Sequence, residues 1–198
     1  MNQRLKFNLV MLLVFGIALG GIGFVADTIL KDNAREEVIQ KAQVMRASAL
    51  AMRGYTANEI RPLLQQLRTD EFLPHTVPSF AAHTNFEEIQ KSFRHYSYKE
   101  ATLNPTNPRD LATAWEADII QAFRNNPTLT EAVIVRDSAV GQMLTMSHPI
   151  RITNPACLQC HSTPSSAPPA MLARYGSANG FGWQMDEFVG AQIVSIPM

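Results

Sequence analysis

Cysteine is almost absent from this chain: its 198 residues contain only two, Cys157 and Cys160. A scaffold built from several disulfides and a zinc site with four cysteine ligands are therefore excluded. Neither sign of charge is in excess, because 17 basic residues balance 17 acidic ones. This composition creates no strong field for nucleic acid or another polyanion, so we expect no nucleic-acid partner. Internal repeats are also absent, which excludes a repeat architecture.

The two cysteines belong to the run Cys157-Leu158-Gln159-Cys160-His161, a C-x-x-C-H pattern. Thiols at this spacing can add to the two vinyl groups of one haem, and the histidine that follows is then held under the iron. We therefore predict one covalently bound haem c. In this interpretation Cys157 and Cys160 form the thioether links, and His161 is the proximal iron ligand.

Three other interpretations of the pattern are weaker. A structural zinc site needs a second pair of ligands, and the other histidines are scattered without paired spacing. A thioredoxin-like pair opens a helix after a buried strand, whereas Thr153-Asn154-Pro155 and Ser162-Thr163-Pro164 predict a loop here. A disulfide between these residues would close a short loop and add little stability.

The N-terminal segment predicts a membrane anchor. Residues 7–25 carry no charge, and a run of that length just spans the hydrocarbon core of a bilayer. Arg4 and Lys6 precede the run, so the positive-inside rule puts residues 1–27 in the cytoplasm and the membrane, and the rest outside. We expect a single-pass protein of the bacterial inner membrane with a periplasmic domain. Cleavage as a signal peptide near Ala18-Leu19-Gly20 is the alternative.

Residues 28–70 predict a helical stem. An apolar stripe repeats every seven residues and favours one long helix that ends near Arg53 at Gly54, and that packs on the domain or on a second copy of itself. Thr56 to Glu59 is typical of a capping box that opens a short helix through Leu67. The stripe consists of Val38, Ala42, Met45, Ala49 and Met52.

Residues 71–198 predict a separate α+β domain. Pro74 and Pro78 favour an extended stretch between them, and Ser79 is a candidate cap for the helix that follows. We predict strands at residues 96–101, 132–136, 142–152 and 191–196, and a helix at residues 111–125. Helices combined with a largely antiparallel sheet and one crossover helix resemble a PAS-like domain.

Several strings together resemble one family, the single-haem, PAS-like c-type cytochromes of bacteria. The similarity covers the chain from about Glu36 to Met198, and relatives occur as membrane-anchored proteins or as sensor domains ahead of HAMP and histidine kinase modules. The resemblance implies a haem on a PAS-like sheet, with Cys157, Cys160 and His161 in the roles given above. The strings are residues 96–105, Trp115 to Asp118, Pro149 to Ile152 with the C-x-x-C-H run, and Tyr175-Gly176 to Trp183.

The resemblance leaves the sixth iron ligand open. A thiolate is excluded because the chain has no third cysteine. His75 is the first candidate for this distal ligand because its proline-bracketed segment matches where the family's second ligand can arise. His148, on the apolar face of its predicted strand, is the second. The remaining candidates are Met143, Met146, His83 and His95.

The sequence favours single-electron transfer by a membrane-tethered cytochrome over catalysis. A haem with two strong protein ligands shuttles electrons without substrate chemistry, and no distal Arg/His pair of a peroxidase is evident. Arg151, near the haem motif, is a candidate partner for a haem propionate. The alternative is a sensor of redox state or of a diatomic gas. No HAMP or kinase pattern is present, so we expect a sensor to signal through an unidentified partner or through an output module that this sequence lacks.

Overall fold

The computed structural model describes residues 2–66 and 71–198. By its internal contacts the chain forms two units, Met1–Gln40 and Lys41–Met198. The predicted end of the short helix at Leu67 lies outside the described residues. The predicted domain boundaries after residues 27 and 70 stay predictions.

The first unit is the N-terminal part of helix α1, which runs Gln3–Tyr55. Within the described residues it is the one helix that is long and apolar enough to cross a membrane. Its large apolar side chains between Leu5 and Leu30 are exposed. An exposed apolar surface of this size is unusual for a protein in water and fits contact with lipid.

In the second unit, the rest of α1 carries the predicted packing stripe. Ala42 and Ala49 have no exposed surface, and Met45 and Met52 of the same stripe are partly buried. The stripe faces the interior of this unit, as the seven-residue spacing predicts.

The predicted end of the helix at Gly54 is wrong. Helix α1 continues to Tyr55 and passes through a π-helical turn, Thr56–Ile60, into helix α2, Arg61–Leu64. Glycine ends a helix when it adopts a left-handed conformation, which Gly54 does not do. Thr56 is buried and makes no capping hydrogen bond at this junction, so the predicted capping box is also wrong.

The proline-bracketed segment forms a short 3₁₀ turn, Pro74–Thr76, instead of the predicted extended stretch. A proline restricts the residue before it, and Leu73 and Val77 are indeed extended. His75 and Thr76 are free of that restriction. Helix α3 follows at Pro78–Ser92 with Val77 as its N-cap, so Ser79 lies inside the first turn and not at the cap.

A four-stranded antiparallel sheet forms the centre of the domain. Its strands are β1 Ser97–Thr102, β2 Ala132–Ser138, β3 Gly141–Arg151 and β4 Phe188–Pro197, in the order β1-β4-β3-β2. Helix α4, Ala114–Asn125, connects β1 to β2 and starts at a capping box of Thr113 and Glu116. Helices α5, Leu158–His161, and α6, Pro169–Tyr175, lie between β3 and β4. The α+β prediction is therefore confirmed.

The two faces of the sheet differ in chemistry. One face packs against α4 through an apolar cluster that includes Ala101, Ile120 and Ile193. The other face carries Tyr98, whose ring stacks on Phe86 of α3 with centroids 4.5 Å apart. It also carries Glu100, which accepts hydrogen bonds from Tyr98 and from Arg53 of α1. We call this second face the stem face, because α1 packs on it.

His83 of α3 should make the stability of the domain depend on pH. Its Nε2 lies 3.2 Å from Asp110 Oδ1 and its Nδ1 lies 2.9 Å from the Ser79 carbonyl. Burial alone would lower the pKa of His83, but the hydrogen bonds to Asp110 and Ser79 outweigh it and raise the pKa. Protonation therefore stabilises the fold, fully below the unfolded pKa of about 6.5, and this contribution is lost as pH rises through the folded pKa.

We expect the melting temperature of the full-length chain in detergent to fall as pH rises from about 6.5 through the raised folded pKa of His83, and this fall to shrink in His83→Gln. His95→Gln is the control, because His95 is exposed. An identical pH profile in wild type and His83→Gln would contradict the assignment.

Candidate functional site

The C-x-x-C-H run lies on a single helical turn. A 3₁₀ turn at Pro155–Cys157 leads directly into α5, so the predicted loop is wrong at this point. Asn154 starts the turn by accepting a hydrogen bond from the Ala156 N–H at 2.9 Å, and Pro155 already has a helical φ. Residues three apart on a helix share a face, so the turn presents both thiols to one side.

The two cysteines are free and partly buried. Burial raises the pKa of Cys160, and the neighbouring Cys157 raises it further, against an opposing effect of Arg61. Thiols that work in disulfide exchange usually have a lowered pKa. The environment of Cys160 therefore disfavours the thioredoxin-like interpretation.

One hydrogen bond fixes the tautomer of His161. Its Nδ1 lies 2.8 Å from the carbonyl oxygen of Gly180, with the Thr106 hydroxyl at 3.5 Å. A carbonyl oxygen only accepts hydrogen bonds, so Nδ1 carries the proton. In the neutral ring the lone pair is then on Nε2, the atom available to a metal.

Backbone and ring contacts hold His161 in place. The Trp183 indole stacks on the imidazole, with ring centroids 4.0 Å apart and an angle of 16° between the planes. The N–H groups of Trp183 and Gly182 donate to the carbonyls of His161 and Ser162 at 3.1 Å and 2.9 Å. These bonds satisfy carbonyl groups that the end of a short helix leaves without partners.

The charge state of His161 suits metal binding. Burial lowers its pKa, although the hydrogen bond to Gly180 opposes the shift. The ring is therefore neutral at pH 7, and a histidine must be neutral to ligate a metal.

Gly180 is the residue on which this arrangement depends. It has a φ of +82°, and an added Cβ would lie 2.8 Å from the backbone nitrogen of Thr106. Asn104 holds the same segment: its Oδ1 accepts from the Gly180 N–H at 3.1 Å, and its Nδ2 donates to the Phe181 carbonyl at 3.3 Å. The loop after β1 thereby aims the Gly180 carbonyl at His161.

Arginines of α1 and α2 lie near the thiols. The charge of Arg53 interacts with Cys157, and that of Arg61 with Cys160. Arg61 also donates from Nε to the Thr76 carbonyl at 3.0 Å. Arg61 therefore links the turn that carries His75 to the neighbourhood of Cys160.

The distal candidates differ in their surroundings. His75 is exposed, and its ring makes a T-shaped contact with the Phe80 ring, with centroids 5.4 Å apart. Both nitrogens of His83 are engaged, as described above. His148 Nε2 lies 3.1 Å from Glu131 Oε2, and its buried Nδ1 has no hydrogen-bond partner among the described residues. Met143 and Met146 are buried on opposite faces of β3, and His95 is exposed.

The donor set fits haem c. Two free thiols lie on one face of a helical turn, and the next residue is a neutral histidine with its Nε2 lone pair available. The described residues contain no cluster of three or more histidine, cysteine or acidic side chains placed to hold a metal ion, which gives the zinc interpretation no support. The positions of Gly180, Asn104 and Arg61 were not predicted. The sequence string that ends at Trp183 indicated the segment but not its contact with His161.

Comparison with known proteins identifies the family. The sequence pattern of the Tll0287-like family matches residues 31–197. The chain belongs to the Tll0287-like family. The crystal structure of the cyanobacterial heme-protein Tll0287 matches with a TM-score of 0.62 at 20% sequence identity, covering 82% of this chain and 96% of that chain. No curated protein matches the chain. Membership of the Tll0287-like family agrees with the resemblance predicted from the sequence strings.

Gly180→Ala should destabilise the protein by more than the backbone strain of alanine at a positive φ alone. Alanine at a positive φ costs about 1–2 kcal/mol, and at Gly180 the clash with Thr106 adds to it and moves the carbonyl away from His161. We expect a lower melting temperature than in Gly182→Ala, the matched control, which has a φ of +83° but nothing within 4 Å of an added Cβ. Equal losses in the two variants, measured by thermal unfolding of the full chain, would show that the carbonyl position does not matter.

Proposed function

We propose that this chain binds one haem c covalently and transfers single electrons on the outer face of a bacterial inner membrane. One observation carries the proposal: His161 is held as a neutral ligand, with Nε2 available, directly after two thiols that share one face of a helical turn. Cys157 and Cys160 would form the thioether links, and His161 would be the proximal ligand. Haem supplies one-electron redox chemistry when bound.

The rigidity of the site favours electron transfer over catalysis. The hydrogen bond to Gly180, the Trp183 ring and two backbone hydrogen bonds restrain His161 on several sides. A ligand that is held in this way moves little when the iron changes oxidation state, so electron transfer needs little rearrangement. The contacts around the ligand also tune the midpoint potential, because they alter the basicity of its imidazole.

The membrane location is supported by the first part of α1. Its apolar side chains are exposed, and Arg4 and Lys6 precede the apolar run. The positive-inside rule then puts the N-terminus in the cytoplasm and the haem domain in the periplasm. The partner in this proposal is a redox protein that reaches the domain on that side of the membrane.

A sensor of redox state or of a diatomic gas is the second candidate. Arg53, whose charge interacts with Cys157, belongs to the same helix as the apolar run. A change at the site would therefore act directly on α1. This function needs an iron position that is open or easily opened, and His75, as an exposed residue, is a ligand that can move away.

Carbon monoxide separates the two candidates. If His75 is the sixth ligand, the low-spin spectrum of reduced wild-type protein should not change on addition of carbon monoxide, and the spectrum of His75→Ala should shift as the gas binds. His95→Ala is the control, because it also removes an exposed histidine. Absorption spectra of the reduced full-length chain with and without the gas provide the measurement. Rapid binding by the wild type would favour the sensor, and an unchanged low-spin spectrum of His75→Ala would reject His75 as the ligand.

A further inference from the structure

Arg46 of α1 has a buried nitrogen with no hydrogen-bond partner. Its Nε is inaccessible to solvent, and none of the described residues accepts a hydrogen bond from it. Burying a guanidinium nitrogen without an acceptor is unfavourable, so the position calls for an anion.

The surroundings of Arg46 contrast with those of Arg53, seven residues further along the same helix. Arg53 pairs with Glu100, which also accepts from the Tyr98 hydroxyl at 2.7 Å. That carboxylate is therefore already satisfied. The charge of Arg46 acts on both edges of this region. It contributes to the lowered pKa of His148 on β3, after burial as the larger cause, and it opposes the effect of burial, which raises the pKa of Tyr98 on β1.

His148 has the second buried nitrogen without a partner on this side of the sheet. Its Nδ1 is inaccessible and makes no hydrogen bond within the described part of the chain, while Nε2 pairs with Glu131. With Nε2–H directed at Glu131, the neutral ring leaves Nδ1 as a hydrogen-bond acceptor, whereas Arg46 Nε is a donor without an acceptor. The anion that this region calls for is therefore a partner for Arg46.

The register of the sheet places this pair relative to the thiols. Glu100, Gln192 and His148 form one row across β1, β4 and β3 on the stem face. Arg53 of α1 contacts Glu100 at the β1 end of this row. Two strand spacings are about 10 Å, and seven helical residues rise about 10.5 Å, so Arg46 and Arg53 are about as far apart along α1 as the two ends of the row are from each other.

This geometry matches the two edges of a haem. Arg53 lies near Cys157, where the vinyl edge would be attached, and Arg46 lies about 10.5 Å further along α1. The propionates are on the edge of the macrocycle opposite the vinyl groups. Arg151, the propionate candidate from the sequence, already has partners: its guanidinium pairs with Asp186 at 3.0 Å and lies over the Phe188 ring.

We propose that Arg46 binds a haem propionate through its guanidinium, beside His148, and so fixes the edge of the haem that the thioethers do not hold. The inference rests on the proposed function, since it requires haem c at Cys157 and Cys160. Arginine suits this role because its planar fork of donors matches a carboxylate.

The test uses the full-length chain, matured with haem, as wild type, Arg46→Met, Arg46→Lys and Arg94→Met. Arg94 is exposed, so its variant removes the same charge elsewhere. We expect Arg46→Met to keep its covalent haem but to have a lower midpoint potential, because loss of a cation favours ferric over ferrous iron. Its propionate bending band in the resonance Raman spectrum should shift, Arg46→Lys should be intermediate, and Arg94→Met should match the wild type.

A second readout compares chains with and without haem. Without haem, Arg46→Met should melt no lower than the wild type, because it removes a buried nitrogen that lacks an acceptor. With haem, it should melt lower than the wild type. An unchanged potential and Raman band, or an equal loss of stability with and without haem, would overturn the inference.

If Arg46→Met does not fold, the propionate bending band of Arg46→Lys tests the inference. This variant keeps the charge but loses the forked geometry of the guanidinium, so its band should shift. A wild-type band in Arg46→Lys would then overturn the inference. Absence of covalent haem from the wild type would be a different result, which rejects the proposed function itself.

Discussion

The hydrogen bond from His161 Nδ1 to the Gly180 carbonyl is the interaction on which the rest of the site depends. It puts the proton on Nδ1 and leaves Nε2 available for a metal. The carbonyl can point there only because Gly180 has a positive φ and no Cβ to strike Thr106. Asn104 secures the same segment from the loop after β1. The hydrogen bonds of Gly180 to His161 and to Asn104 thereby join helix α5, the loop after β1 and the segment before β4.

Buried charges on the stem face of the sheet impose a second constraint, because each needs a partner of opposite charge or a hydrogen bond. Arg53, Glu100 and Tyr98 form a closed network in which the carboxylate is satisfied by two donors. Breaking a buried pair by removing one partner typically costs 3–5 kcal/mol, so this network restricts how α1 packs on the sheet. Arg46, on the same helix, has a buried Nε with no acceptor among the described residues. Arg53 has a carboxylate partner and the Arg46 Nε has no acceptor, and this difference is the basis for proposing that Arg46 binds a haem propionate.

The sequence predicted features that depend on local chemistry or on periodicity. The strands, helix α4 and the buried stripe of α1 follow from alternation and spacing, and the C-x-x-C-H run follows from the chemistry of its own residues. Helix ends were predicted less well. Gly54 resembles a terminator, but it does not adopt the left-handed conformation that ends a helix. Pro74 to Pro78 forms a turn because proline restrains only the residue before it. Gly180, Asn104 and Arg61 act through contacts between distant segments, which no local pattern contains.

The mass of the peptide that contains Cys157 and Cys160 tests the central claim most directly. The full-length chain would be produced with haem maturation machinery, digested and measured by mass spectrometry. The account predicts that this peptide gains the mass of one haem through both cysteines, and that Cys157→Ala/Cys160→Ala abolishes the gain. An unmodified peptide from wild-type protein produced in this way would contradict the account.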